Sequence, residues 1–248
     1  MPFACKNILV LETVDSTNNY AMGLIKNGEA LSENAVFAME QTSGKGRRNK
    51  QWKSHKNENI ILSIMIEMQW LPVFHQFQLS AAVALGCHDL VSKYISPGTS
   101  IKWPNDIFIN DRKAGGVLIE NVVKGTLWQW AVIGIGINVN QLDFEGYNFS
   151  AASLKKMTGE NFEISKLAEE LYKLILKRIN DLKTGKFVKM LQEYNEKLFA
   201  KNQLVKLKKG NIVFETKITG VSDSGQLITE DSFERHFNFD EVEFKGLI

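Results

Sequence analysis

Apolar residues recur along this chain with two different periods, and the change from one to the other divides it. Residues 59–68 place Ile60, Leu62, Ile64, Ile66 and Met68 on one face, the period-2 pattern of a strand over a core. Residues 7–14 read as a strand, after which Ser16 can cap a helix running to Asn27 that turns Tyr20, Leu24 and Ile25 inward. Residues 35–40 alternate more weakly as a second strand. Phe77, Ala81, Ala84, Leu85, His88 and Val91 then recur at helical spacing within 74–94. Strand-like runs follow at 100–103, 107–109, 116–123 and 127–134, with Asn110-Asp111 as a tight turn. Amphipathic helices are predicted over 164–182 and 186–199. From about Lys201 the period becomes alternating, in short runs at 204–207, 213–221, 226–229 and 235–239 separated by Gly210, Gly225 and polar turns. These runs predict a small five-stranded barrel behind an α+β unit. No flexible linker marks the boundary near Ala200, so the two parts are expected to pack together.

One segment has almost no hydrophobic period. Residues 42–57 contain Lys45, Arg47, Arg48, Lys50, Lys53 and Lys56, which predicts a long, mobile, basic loop. The charge is local: 30 Lys plus Arg oppose 28 Asp plus Glu, a formal net charge of +2, which gives a nucleic-acid-binding module little support. Cys5 and Cys87 are the sole cysteines and there is no Cys/His cluster, which excludes a disulfide scaffold and a structural zinc site. Reduced thiols in the cytoplasm are expected. The longest strongly apolar stretch, 60–68, is too short to span a bilayer, and residues 1–14 lack a basic start and a small-residue cleavage site. Neither export nor membrane insertion is expected.

Several polar segments are candidates for chemistry. Within Gly44-Lys45-Gly46-Arg47-Arg48-Asn49-Lys50-Gln51-Trp52, two glycines stand beside four cations, a composition that can fold around an anion or form a solvated surface loop. Its spacing is not that of a Walker loop. Lys102-Trp103-Pro104-Asn105-Asp106 interrupts two strands and reads either as a structural turn or as polar groups held at a strand end; Lys113 and Ala114-Gly115-Gly116 follow closely. Gly134-Ile135-Gly136-Ile137-Asn138 lacks the third glycine and the helix of a dinucleotide fingerprint, and a glycine bulge ending a strand explains it equally. Ser16-Thr17-Asn18 is either an N-cap or a set of groups on a polar ligand head. No HExxH or Gly-x-Ser-x-Gly pattern occurs, and His88 and Cys87 read as core residues.

Taken in order, Asp15-Ser16-Thr17-Asn18, residues 41–52, 102–106, 112–120 and 134–138 resemble the biotin protein ligases, over essentially the whole chain. The resemblance implies a largely antiparallel mixed sheet with packed helices, like the class II aminoacyl-tRNA synthetase and biotin ligase catalytic fold. It places a catalytic domain at 1–200 and an SH3-like β-barrel at 201–248. It implies that Ser16, Thr17, Asn18, Gln41, Gly44, Lys45, Lys113, Gly116, Gly134 and Gly136 bind biotin. Arg47, Arg48, Lys50, Trp52, Asn105, Asp106, Lys113 and Asn138 would bind ATP and the adenylate, with Lys113, Arg47 and Asp106 catalytic. Biotin and ATP would be substrates and Mg²⁺ would accompany the pyrophosphate. The partner would be a biotin carboxyl carrier domain, with no DNA or membrane partner, and the chain a monomer or homodimer. Lys45, Asn49, Lys50 and Glu58 depart from the family pattern. A lipoate protein ligase and a non-catalytic biotinyl-adenylate sensor are the competing readings.

Overall fold

The computed structural model describes residues 3–47, 50–144 and 150–247. Its larger sheet has seven strands: β1 (Ile8–Val14), β2 (Ala35–Gln41), β3 (Asn59–Glu67), β4 (Thr99–Lys102), β5 (Asp106–Ile109), β6 (Arg112–Lys124) and β7 (Leu127–Asn138). They lie in the order β1-β2-β3-β7-β6-β5-β4; β1 and β2 are parallel and every other neighbouring pair is antiparallel. The α+β reading of the sequence therefore holds, with a largely antiparallel mixed sheet.

Strand β3 is buried on both faces rather than on the one its period suggested. Its even-numbered residues Ile60, Leu62, Ile64 and Ile66 join the main core under α2 (Gln76–Ser92) and α4 (Ile164–Lys183). Its other face contributes Met65 to a smaller cluster with Ala21, Val36 and Val132, roofed by α1 (Thr17–Asn27). Tyr20 faces outward at 36% exposure and Ala21 takes the buried place, because Thr17, Asn18 and Ala21 form the inner stripe of α1. Helix α2 is apolar almost all round, as a central helix must be. Its Gly86 lets Ile175 of α4 approach so closely that an added β-carbon would overlap the isoleucine.

Two further helices complete this part. The short α3 (Leu154–Thr158), capped by Ser153 accepting from the Lys156 N–H, has too few residues to show a period and was not anticipated. Helix α5 (Phe187–Glu196) leads to the second sheet, whose strands are β8 (Leu204–Lys209), β9 (Ile212–Val221), β10 (Leu227–Glu230), β11 (Glu234–Phe237) and β12 (Glu243–Leu247). This sheet is antiparallel throughout, in the order β11-β10-β9-β8-β12. It packs directly on the first part. Asn195 of α5 brackets Val221, donating to its carbonyl at 3.0 Å and accepting from its N–H at 2.7 Å. The Trp103 indole donates to the Gly225 carbonyl at 2.9 Å, and Phe239 packs on Trp103 and Phe77. One continuous apolar cluster spans both sheets.

Candidate active site

The face of the large sheet opposite α2 and α4 is covered by α1 along only part of its length, and a cavity of about 760 Å³ opens beside that helix. Its floor is built by cross-strand rows. Ser63, Gly134 and Leu118 lie abreast in one, and Ile61, Gly136 and Gly116 in the next. The glycines continue regular strand pairing with no bulge in this segment, so their role is to leave the floor bare. A β-carbon on Gly134 would strike the Asn18 amide, and one on Gly136 would strike the Trp52 indole.

At one end of the cavity lies a polar ring. The Thr17 N–H donates to Gln41 Oε1 at 2.8 Å. The Ser63 hydroxyl is 2.7 Å from Thr17 Oγ1 and 2.6 Å from Asn18 Oδ1. With one proton to give, Ser63 donates to the amide oxygen, which can only accept, and so receives from Thr17. The Asn18 amide donates in turn to Glu120 at 2.7 Å, and Lys45 pairs with the same carboxylate at 3.9 Å. Ser16 occupies the N-cap position of α1 with extended backbone, yet its side chain makes no capping bond and lines the cavity. The capping expectation thus fails for the hydroxyl, although the helix starts where expected.

In the middle, Lys113 Nζ and Asp106 Oδ1 form an ion pair at 2.6 Å, both side chains about a quarter exposed. Gly116 lies against both groups. The pair is held from behind through the backbone: the Lys113 N–H donates to the Ser150 carbonyl and its own carbonyl accepts from the Ala152 N–H. Asn138 does not reach the cavity. It is buried and donates to the Ala152 carbonyl at 3.0 Å, which ties down the segment that pairs with Lys113. Asn105 lines the cavity, but its amide donates to the Val117 carbonyl at 2.6 Å and closes the turn before β5. Among the described residues the buried Trp52 Nε1 has no hydrogen-bond partner, and Lys113 Nζ lies 6.0 Å from the Trp52 ring centre.

The basic segment is folded, not splayed. The Gly46 N–H donates to the Lys50 carbonyl and the Trp52 N–H to the Gly44 carbonyl, with Lys45 and Gln51 bridged. Gly44 is packed beneath Trp52 and Gln41, where a side chain would not fit. Arg47 leaves the floor to reach the second sheet, pairing with Asp240 at 3.2 Å and lying 5.4 Å from the Phe239 ring centre. Lys45, Arg47 and Lys50 line the cavity and also a shallower one outside the loop. Arg48 lies outside the described residues.

Sequence reasoning missed Ser63, whose polarity within an apolar strand was the available signal, and named Lys102 and Glu120 only as members of longer segments, with no role of their own. The Lys102 ammonium sits over the rings of Phe108 at 4.6 Å and Phe244 at 4.3 Å. Burial lowers its pKa, opposed by Asp106 and reinforced by Lys113 and Lys50.

Comparison with known proteins agrees with this architecture. The computed model superposes on the biotin protein ligase of Aquifex aeolicus, solved in complex with biotin and ATP, with a TM-score of 0.83 over 98% of this chain and 100% of that one, at 24% identity. The fold is therefore that of the biotin protein ligases. Residues 10–138 match the biotin/lipoate A/B protein ligase family, and the chain belongs to it. It is 30% identical over 230 residues to the bifunctional ligase/repressor BirA of Bacillus spizizenii, covering 91% of this chain and 70% of that protein. It is 34% identical over 133 residues to the biotin--[acetyl-CoA-carboxylase] ligase of Paracoccus denitrificans, covering 52% and 53%.

Proposed function

We propose that this chain is an ATP-dependent biotin protein ligase. It joins biotin to AMP with release of pyrophosphate, then passes the biotinyl group to a lysine of a biotin carboxyl carrier domain. The observation that carries this reading is one cavity holding a hydroxyl and amide ring at one end and the Lys113–Asp106 pair at its middle. A ureido head offers both N–H donors and a carbonyl acceptor, which the Ser16, Thr17 and Gln41 groups match. A dithiolane would leave those groups desolvated without partners, which disfavours lipoate.

Two anions must meet for the first step, and their repulsion has to be offset by fixed cations. In our reading Lys113 lies beside the biotin carboxylate and the α-phosphate, and Arg47 and Lys50 approach the phosphates from the loop. Carboxylate oxygen attacks the α-phosphorus, the bond to the bridging oxygen breaks, and pyrophosphate leaves with the electron pair. The mixed anhydride is prone to hydrolysis, so Trp52 and the basic loop shield it. In the second step Asp106 takes the proton of the attacking amine. Asn138 acts by holding residues 150–152 against Lys113, not by touching adenine. Among the described residues no three His, Cys, Asp or Glu side chains gather to hold a metal ion. Mg²⁺, in this reading, accompanies ATP and would supply charge neutralisation at its phosphates, and no protein ligand is assigned to it.

Cys5 and Cys87 are unpaired, which suits a cytoplasmic enzyme, and among the described residues no helix is long and apolar enough to cross a membrane. The test is purified protein with ATP and either biotin or lipoate. Pyrophosphate release with biotin, followed by biotinylation of a carrier domain, is expected. Release with lipoate alone would overturn the reading.

A further inference from the structure

Lys102 stands beyond the reacting centre. Across the sheet Asp106 pairs with Gly116 and Lys102 with Asp106, so Lys102 lies one strand beyond the Lys113–Asp106 pair, at the cavity wall to which Phe244 of the second sheet contributes. It is the cross-strand neighbour of Asp106 in β4 and β5, yet among the described residues no carboxylate lies within ion-pairing distance of its ammonium. Three rings hold it instead: Phe108 of β5 at 4.6 Å, Phe199 at 6.0 Å and Phe244 of β12 at 4.3 Å. Phe199 in turn packs on Phe108 and edge-on to Phe244. An aromatic shelf favours the charged form and fixes its position without neutralising it, as a carboxylate would. A half-buried cation held this way at the wall of a cavity suits a mobile polyanion.

Resting on the ligase reading above, we propose that Lys102 is the binding residue for the departing pyrophosphate, and that Phe244 of the second sheet positions it. The attacking carboxylate and the α-phosphate occupy the middle of the cavity at Lys113. The β- and γ-phosphates then extend away from the biotin end, toward Lys102. When the bond from the α-phosphorus to the bridging oxygen breaks, that oxygen keeps the electron pair, and the added charge falls on the group Lys102 faces. The cation lowers the cost of that charge and is not consumed. The second sheet thereby contributes to the first half-reaction through one ring.

The experiment separates the two half-reactions in Lys102→Gln, Lys102→Arg and Phe244→Leu. The reverse reaction is run with inorganic pyrophosphate and preformed biotinyl-AMP, and transfer with preformed biotinyl-AMP and a carrier domain. In Lys102→Gln the KM for pyrophosphate should rise at least tenfold, while transfer and biotin affinity stay within about threefold. Lys102→Arg should recover part of the loss, and Phe244→Leu should raise the same KM with thermal stability retained. An unchanged KM for pyrophosphate in a folded Lys102→Gln protein would overturn the proposal, as would a loss confined to transfer, which would place Lys102 on the acceptor side. Failure of the unaltered protein to make the adenylate would sink the ligase reading itself, a different result from either.

Discussion

Single atoms decide whether the site can form at Gly134 and Lys113. Gly134 leaves room for the Asn18 amide, and Asn18 joins Ser63 of β3 to Glu120 of β6. Gly134→Ala should weaken biotin binding by at least tenfold, about 1.4 kcal/mol, with little loss of fold, because the new methyl displaces a side chain rather than backbone. Titration calorimetry with biotin checks this. Lys113→Ala removes the partner of Asp106 and, in the proposed mechanism, the cation beside the reacting groups. Adenylate formation should fall about 10²- to 10³-fold, the usual cost of losing one preorganised charge stabiliser. Single-turnover pyrophosphate release measures it, and near-normal rates would remove Lys113 from the mechanism.

Among the elements, α4 is held by one residue more than its apolar stripe suggests. Arg178 grips Asp89 of α2 at 2.8 Å through Nε and Nη2, and Glu193 of α5 at 2.7 Å through Nη1 and the same Nη2. Arg178→Ala would strand two partly buried carboxylates and should cost about 2 kcal/mol, below the range for fully buried pairs because both acids keep contact with water. Urea unfolding would report it. The same bonds hold the Glu193 carboxyl below its ordinary value of 4.5, so its contribution is complete above that pH and fades as pH falls through the lower folded value. On α2, burial is the main cause lowering the His88 pKa from 6.5. The folded state therefore resists protonating it, and stability should decline as pH falls below about 6.5, before the carboxylates titrate. Melting curves at pH 7.5 and 5.5 should show a drop that His88→Gln reduces. An equal drop in that variant would assign it elsewhere.

Across the whole molecule, the two sheets share one core and meet at the site. Gly225, at φ +91°, accepts from the Trp103 indole and leaves space that Phe77 fills. Gly225→Ala combines an unfavourable backbone conformation with an overlap on that ring and should cost about 2–3 kcal/mol. Because Asp240, in the loop between β11 and β12, and Phe244 of β12 reach Arg47 and Lys102, adenylate formation should fall with it. If stability drops while that rate holds, the second sheet has no part in the first half-reaction.

How much of this was legible along the chain follows from which interactions are local. Strand and helix periods, turns at Asn110 and Gly225, the change of character near Ala200 and the order of the polar motifs are properties of neighbours in sequence, and they located nearly every element and most of the cavity wall. Burial of both faces of β3, outward placement of Tyr20 and inward placement of Asn138 depend on which strands and helices lie alongside, which no local period encodes. The Ser63–Asn18 bond, the Arg47–Asp240 contact and the Phe244 ring under Lys102 join residues 45, 193 and 142 positions apart. Hydrogen bonds and ring contacts act over a few ångströms, so only the tertiary fold, by bringing these residues within that reach, decided that they belong to one site.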